Sequence, residues 1–386
     1  MLRILMAAPA LAAAGLLATG LGVFDSAATV QAASGRATHS AETILIAPTA
    51  TALTFARAGG KTIGVTSYTQ GQVSGVALGA VMAPGEDAVD LVNRLGYDAV
   101  QSEIERAETS VEIKVSDLEI PVDIGSEHIA AATNYREHAR EASVEGGPFL
   151  FPKYVQPTSA RAGIPAGEAL LDYEVELCLL TMRPINPADG ASGGLILCND
   201  VTDRAALLRK IDPDHPESGT GFTSGKSAPG FLPVGDLFVA PRDVKAFSRD
   251  LVLQLSVNGV ERQRSSVSLW IWDIDRILLE ASRLRGQVWN FADAAARLPF
   301  DADGFIPERT LILTGTPGGT VFKGIYPSAY VRGGLAWLAG GWNGPLAGQV
   351  VESQIATART SGAYLRPGDL VTIQVDQLGR LENQVE

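Results

Sequence analysis

Asp172-Tyr173-Glu174-Val175-Glu176-Leu177-Cys178 sets an acidic side chain at every second position from 172 to 176, with aromatic or aliphatic ones between them. Successive side chains of an extended strand point to opposite faces. The spacing therefore predicts a strand over Ala169 to Leu180 with Asp172, Glu174 and Glu176 on one face and Tyr173, Val175 and Leu177 on the other. Carboxylates so placed repel one another, and burying them is costly unless a cation or hydrogen bonds compensate. A hard divalent ion is the simplest compensation. The competing reading is a half-exposed strand whose acidic face is simply wet.

Downstream, a second strand over Gly194 to Asn199 runs into Asn199-Asp200-Val201-Thr202-Asp203-Arg204, and a helix is expected from Thr202 to Lys210. Asp200, at that junction, is either a third oxygen ligand or a helix cap near Thr202. Three oxygen ligands with open positions suit magnesium or manganese. Zinc is disfavoured, because the four histidines, His39, His128, His138 and His215, have no zinc-motif spacing.

Upstream, Tyr135, His138 and Glu141 are three apart and share one face of an expected helix. Glu141 is placed to orient the His138 imidazole or to share a proton with it, as a general base needs. A surface pair of polar residues is the alternative. Lys153, after the apolar Phe149-Leu150-Phe151-Pro152, and Lys226, in a Gly-rich loop, are candidates to hold a substrate carboxylate or oxyanion, against the plainer reading of solvated lysines.

Two look-alike motifs are set aside. Gly190-Ala191-Ser192-Gly193-Gly194 matches the nucleophile elbow of serine hydrolases, but a Pro-Asn-Asp loop precedes it and a strand follows, the reverse of what an elbow needs. A hairpin-type turn fits better. Gly219 through Gly225-Lys226-Ser227 resembles a phosphate loop, yet has five residues between its glycines and no strand leading in.

The remaining chain sets the frame. Its 386 residues, 46% hydrophobic, suffice for a large core, and a net charge of −12 without basic runs argues against nucleic acid or an anionic membrane as partner. Residues 1–34 carry Arg3, an Ala- and Leu-rich apolar stretch and the small-residue pattern Val30-Gln31-Ala32, which predicts a secretory signal and hence export; an uncleaved anchor is the alternative. The two cysteines, Cys178 and Cys198, form no disulfide framework; an exported chain permits one bridge, and two buried thiols are the other option.

Residues 41–122 read as a small β-rich module with a short helix over Asp87 to Leu95, and 123–386 as the main domain. Further expectations are a strand Leu251 to Val257 turning at Asn258-Gly259, a helix near Ser268 to Arg283, and strands at Thr310 to Thr314 and Asp369 to Val375. Residues 322–364, rich in Gly and holding Trp337 and Trp342, show no clear period before a helix at Leu346 to Arg359.

The ordered series Asn134-Tyr135-Arg136-Glu137-His138 with Glu141, Phe149 to Lys153, the acidic strand, Asn199-Asp200-Val201-Thr202 with Arg204, Lys226, Val257-Asn258-Gly259 with Gln263, Leu313 to Gly319, and Gly368-Asp369 resembles the fumarylacetoacetate hydrolase family from about residue 50 to Asn383. The resemblance implies an α+β, mainly β fold: a mixed β-sandwich roll with the small N-terminal module, commonly a homodimer. It implies Mg2+ or Mn2+ on Glu174, Glu176 and Asp200, and His138 with Glu141 and Lys153 as catalytic groups. Tyr135, Arg204, Lys226 and Thr316 then surround a small 2-oxo acid or β-dicarbonyl. The expected activity is hydrolysis of a carbon–carbon bond. Isomerase, hydratase or oxaloacetate-type decarboxylase activity on the same scaffold, or a catalytically weakened exported dicarboxylate-binding protein, are the alternatives. The chain departs from the family pattern at Ala205 and Leu207, where Asp and Gln are usual, at Asp203, at Ala228 and Pro229, and in the 322–364 insertion.

Overall fold

The computed structural model describes residues 43–69, 71–340 and 345–386. The expected signal segment, His39 and Trp342 lie outside the described residues.

The strands Val175–Leu180 and Gly194–Asn199 pair antiparallel at the centre of an eleven-stranded sheet and are buried along their whole length. Both faces are covered, which is why their sequences are nearly continuous apolar runs. Alternation divides them cleanly. Val175, Leu177, Leu179, Leu195 and Leu197 pack into one core, and Cys178, Leu180, Ile196 and Cys198 into another on the opposite side.

A four-stranded antiparallel sheet, Val260–Ser266, Val252–Val257, Leu370–Val375 and Gly379–Gln384 in that order, closes the first core with Leu253, Leu255, Val371 and Ile373. Helices Ala88–Leu95 and Tyr97–Arg106 cover the second. The architecture is thus mixed α+β, mostly strand, as expected. The N-terminal strand Ala52–Ala58 hydrogen-bonds to Phe238–Pro241 and so extends the central sheet. Its residues Ala52 to Ala56 do not alternate in burial, because three separate clusters receive them.

Several elements differ in their bounds from the sequence reading. The strand expected from Ala169 is broken into Leu171–Asp172 and Val175–Leu180, and the interruption at Tyr173 and Glu174 turns Asp172 away from the other acids. The short piece pairs with Thr202–Asp203, so the following helix begins only at Arg204. Helix Ile274–Arg283 starts later than expected because Asp273 caps it, accepting from the Arg276 amide. Helix Arg136–Glu141 is short, with Tyr135 at its N-cap.

The hairpin turn is as read: Asn258 (φ 51°) and Gly259 (φ 75°) both take positive φ, the geometry for which Asn-Gly is favoured. Asn258 also clamps the start of the next strand, since its amide nitrogen donates to Asp369 at 2.8 Å and its oxygen accepts from the Leu370 amide at 2.9 Å.

The segment expected as an insertion, residues 322–364, holds a pair of helices, Pro327–Ala339 and Leu346–Ser361. The first was not foreseen. They meet at Gly333, where a Cβ would stand 2.6 Å from the Val350 Cα, so only glycine permits the approach. Ile355 and Ala358 dock onto Ala205 and Leu208 of helix Arg204–Lys210, and Arg209 grips Glu352 with two hydrogen bonds of 2.6 and 2.9 Å. A small apolar side chain at Ala205 is what helix Leu346–Ser361 rests on.

Candidate metal centre

Glu174, Glu176 and Asp200 each present a carboxylate oxygen within 4.8 Å of the others, and all three side chains are buried. The wet-strand reading is excluded. Their convergence follows from the strands: Glu176 has the parity of Cys178, and Asp200 that of Cys198, so both point to the same side at the same sheet end. Asp200 is not the helix cap. Asp203 takes that role, accepting from the Ala205 amide at 2.9 Å.

Cations surround the cluster. Lys226 Nζ donates to Glu174 Oε2 at 2.8 Å and to Asp200 Oδ2 at 2.7 Å, and Lys153 Nζ donates to Asp200 Oδ1 at 2.7 Å. Arg204 links Asp172 Oδ2 at 2.9 Å to Glu174 Oε1 at 2.7 Å. Asp172 also accepts from the amides of Tyr173, Val321 and Phe322, so it anchors Arg204 and the loop entering the insertion.

Four buried carboxylates thus face three buried cations, and the shortfall falls on Glu176. Among the described residues no salt bridge reaches it; it accepts one hydrogen bond, from the Gly315 amide at 2.7 Å. Burial and then the neighbouring Asp200 and Glu174 push its carboxyl well above the usual range. Burial also raises Glu174, but Lys226 and Arg204 outweigh it and hold that group low. An oxygen donor set carrying one uncompensated negative charge fits a hard divalent cation.

Gly315 makes the amide contact possible. Its φ is 91°, and a Cβ there would lie 2.7 Å from the Asn134 Cβ. Asn134 in turn donates to the carbonyls of Thr314 and Trp272, and Gln263 joins the Thr316 hydroxyl and Pro317 carbonyl to the Val175 amide. Motifs remote in sequence are therefore brackets that hold the ligand loop.

A cavity of about 610 Å³ opens above the cluster, and His138, Glu174, Asp200, Arg204, Lys226 and Thr316 reach it. The other expected residues sit elsewhere. Lys153 is fully buried beneath Asp200, also donating to the carbonyls of Phe231 and Lys226, and burial draws its pKa down. Tyr135 is buried with its hydroxyl unpartnered, and burial raises its pKa.

His138 and Glu141 do not hydrogen-bond to each other. Glu141 accepts from the Gly319 amide at 2.9 Å and pairs with Lys323 at 2.5 Å, while the buried His138 Nδ1 has no partner. Burial, offset in part by Glu174, pushes the His138 pKa down to about 4, so the imidazole is neutral at pH 7 and able to accept a proton. The sequence reading missed Asp172 as an anchor, although it lies in the quoted stretch, and missed the apolar upper wall altogether.

A family model for the C-terminal region of fumarylacetoacetate (FAA) hydrolase matches residues 127–386. An oxaloacetate tautomerase of Bacillus subtilis is 26% identical over 282 residues, 69% of this chain and 72% of its own length. A fumarylacetoacetate hydrolase domain-containing protein 2 homolog of Dictyostelium discoideum is 23% identical over 286 residues, 70% of this chain and 74% of its own length. Among solved structures, a probable 2-hydroxyhepta-2,4-diene-1,7-dioate isomerase from Mycobacterium abscessus superposes with TM-score 0.54 at 20% identity, covering 86% of this chain and 98% of its own.

Proposed function

The chain belongs to the fumarylacetoacetate hydrolase family, and from that premise we propose that it is a divalent-metal-dependent hydrolase cleaving a carbon–carbon bond of a small 2-oxo acid or β-dicarbonyl of acylpyruvate type. The observation that carries the proposal is Glu176, a buried carboxylate without a cationic partner beside two others that have theirs. Glu174, Glu176 and Asp200 would hold Mg2+ or Mn2+. When bound, the ion supplies Lewis acidity toward the oxygens of the chelating substrate.

The chain's own groups do the rest. Neutral His138 takes the proton of the attacking water. Lys226 and Arg204 balance the carboxylates of the floor, and the Thr316 hydroxyl, fixed by Gln263, orients substrate oxygens. Lys153 is a positioning residue: it holds Asp200 and the Lys226 carbonyl from below.

A second reading has its own support. His138 stands as a lone proton carrier, with Glu141 engaged by Gly319 and Lys323, and a single carrier is enough to relocate a proton in a keto–enol or double-bond isomerisation. The sequence similarity to an oxaloacetate tautomerase points the same way. A panel of acylpyruvates, oxaloacetate and unsaturated oxo-diacids, assayed with Mg2+ or Mn2+ and again with chelator, separates the readings. Metal-dependent release of pyruvate together with a carboxylic acid from an acylpyruvate supports hydrolysis, whereas pyruvate from oxaloacetate reports decarboxylation. Metal-dependent enol-to-keto conversion without cleavage supports isomerisation, and undiminished turnover in chelator contradicts both.

We also infer export. The N-terminal composition supports it, and so does the disulfide between Cys178 and Cys198, a bond that persists in oxidising compartments. Recovery of uncleaved protein solely from the cytosolic fraction of the native cell would contradict this.

A further inference from the structure

Away from the acidic cluster the cavity is lined mainly by apolar side chains, with Thr133, Ser143, Tyr330 and Asp214 as the polar exceptions. Higher up, its walls are Leu207, Leu208 and Ile211 from helix Arg204–Lys210 and the residue after it, with Ile325, Val350 and Val351 from the insertion facing them. Of Lys and Arg among the described residues, the lining holds only Arg204 and Lys226, and both are already paired to the floor carboxylates. The lining also includes Asp214, an exposed carboxylate.

Burying an anion against such walls costs its hydration with no cation in return, whereas each methylene laid against them gains about threefold to fourfold in affinity. The wall is also fixed in place: Tyr326 donates to buried Gln354 at 2.9 Å, Gln354 reaches the Gly324 carbonyl at 3.3 Å, and the Arg209–Glu352 pair ties the insertion to the site helix. The polar floor and apolar roof are therefore parts of one built pocket.

We propose that this site selects 2-oxo acids whose distal end is uncharged and apolar, several carbons long, and rejects oxo-diacids, with Leu207, Ile325 and Val351 setting the preference. The inference rests on the oxo-acid reading of the floor given above. It differs from that reading in what it excludes, since among the described residues of the lining a second carboxylate on the substrate finds no unpaired cation.

Binding tests it apart from turnover. Isothermal titration of the Mn2+-loaded protein with 2-oxobutanoate, 2-oxohexanoate, 2-oxooctanoate and 2-oxohexanedioate should show affinity rising about threefold per methylene along the monoacids. The diacid should bind at least about tenfold more weakly than 2-oxohexanoate. Val351→Arg should narrow or reverse that gap, and Ile325→Lys serves the same purpose if the first variant fails to fold. Equal or tighter binding of the diacid to the wild type, affinity independent of chain length, or no binding of any member overturns the inference. A retained affinity trend with no turnover of any acylpyruvate removes the reaction proposed above and leaves the apolar selectivity standing.

Discussion

Glu176 sits one strand position from Leu177, buried in the sheet interior, and its single hydrogen bond comes from a glycine amide. A buried carboxylate in that state destabilises the protein until it is protonated or meets a cation. Glu176→Gln keeps the shape and removes the charge. The variant is expected to match or exceed the wild type in metal-free stability by about 1–2 kcal/mol, and to lose the rise in Tm that Mg2+ or Mn2+ gives the wild type. Calorimetry with and without metal checks both halves; a variant that is clearly less stable without metal and still responds to it contradicts them. Strand parity, a local rule, made the pairing of Glu174 with Glu176 legible in the sequence, while Asp200 stayed open between ligand and cap until the resemblance assigned it. The orientation of Asp172 was not legible, since it depends on the break at Tyr173 and Glu174 and on pairing with Thr202–Asp203, contacts made across thirty residues of chain.

Helix Ala88–Leu95 shows how much one cap can carry. Asp87 accepts from the amides of Val89 at 2.8 Å and Asp90 at 3.2 Å, from the Asp123 amide at 2.7 Å, and from the guanidinium of Arg309, tying the N-terminal segment to the main sheet. Burial raises its carboxyl, but Arg309 and the amide donors outweigh that and hold its pKa below the ordinary value. Asp87→Ala is expected to cost about 2–4 kcal/mol, measured by denaturant unfolding at pH 7. Because the folded-state pKa is depressed, this contribution is present above the unfolded value of about 3.9 and is lost as pH falls from there through the folded value. The gap between wild type and variant should therefore shrink on acidification from pH 6 to pH 3; a gap that is constant with pH contradicts the charge argument. The sequence reading located this helix because its cap and apolar spacing agree. It missed Pro327–Ala339 for the opposite reason: Tyr330, Val331, Leu335 and Leu338 are exposed, while the buried positions belong to Ala329 and Gly333. Close approach of two helices needs small residues at the contact, so hydrophobic periodicity points away from the packed face.

At the scale of the molecule, the two central strands are joined by the Cys178–Cys198 disulfide, buried in the core on the same side of the sheet as the acidic cluster. The sequence left paired and free thiols both open, because pairing depends on register. In the structure Cys178 lies opposite Ile196, and Cys198 opposite Glu176, which sets the cysteines diagonally with 6.2 Å between their Cα atoms. The crosslink closes a separation of 20 residues, and replacing both cysteines by alanine is expected to cost about 3 kcal/mol in unfolding free energy. Thiol titration of denatured protein recovered from its native compartment should find no free thiols; two per chain would contradict both the bridge and the export reading. The sheet architecture was accessible from pattern and resemblance together. The shape of the cavity roof was not, since it arises where the insertion docks on Ala205 and Leu208.

The claim beneath the whole account is that Glu174, Glu176 and Asp200 grip one divalent cation. Titration of metal-free protein with Mn2+, following the free ion by its paramagnetic resonance, measures this directly. One ion should bind per wild-type chain, and Glu174→Ala, shown by circular dichroism to be folded, should bind it more than about 100-fold more weakly. A folded Glu174→Ala variant that binds Mn2+ as tightly as the wild type would contradict the assignment.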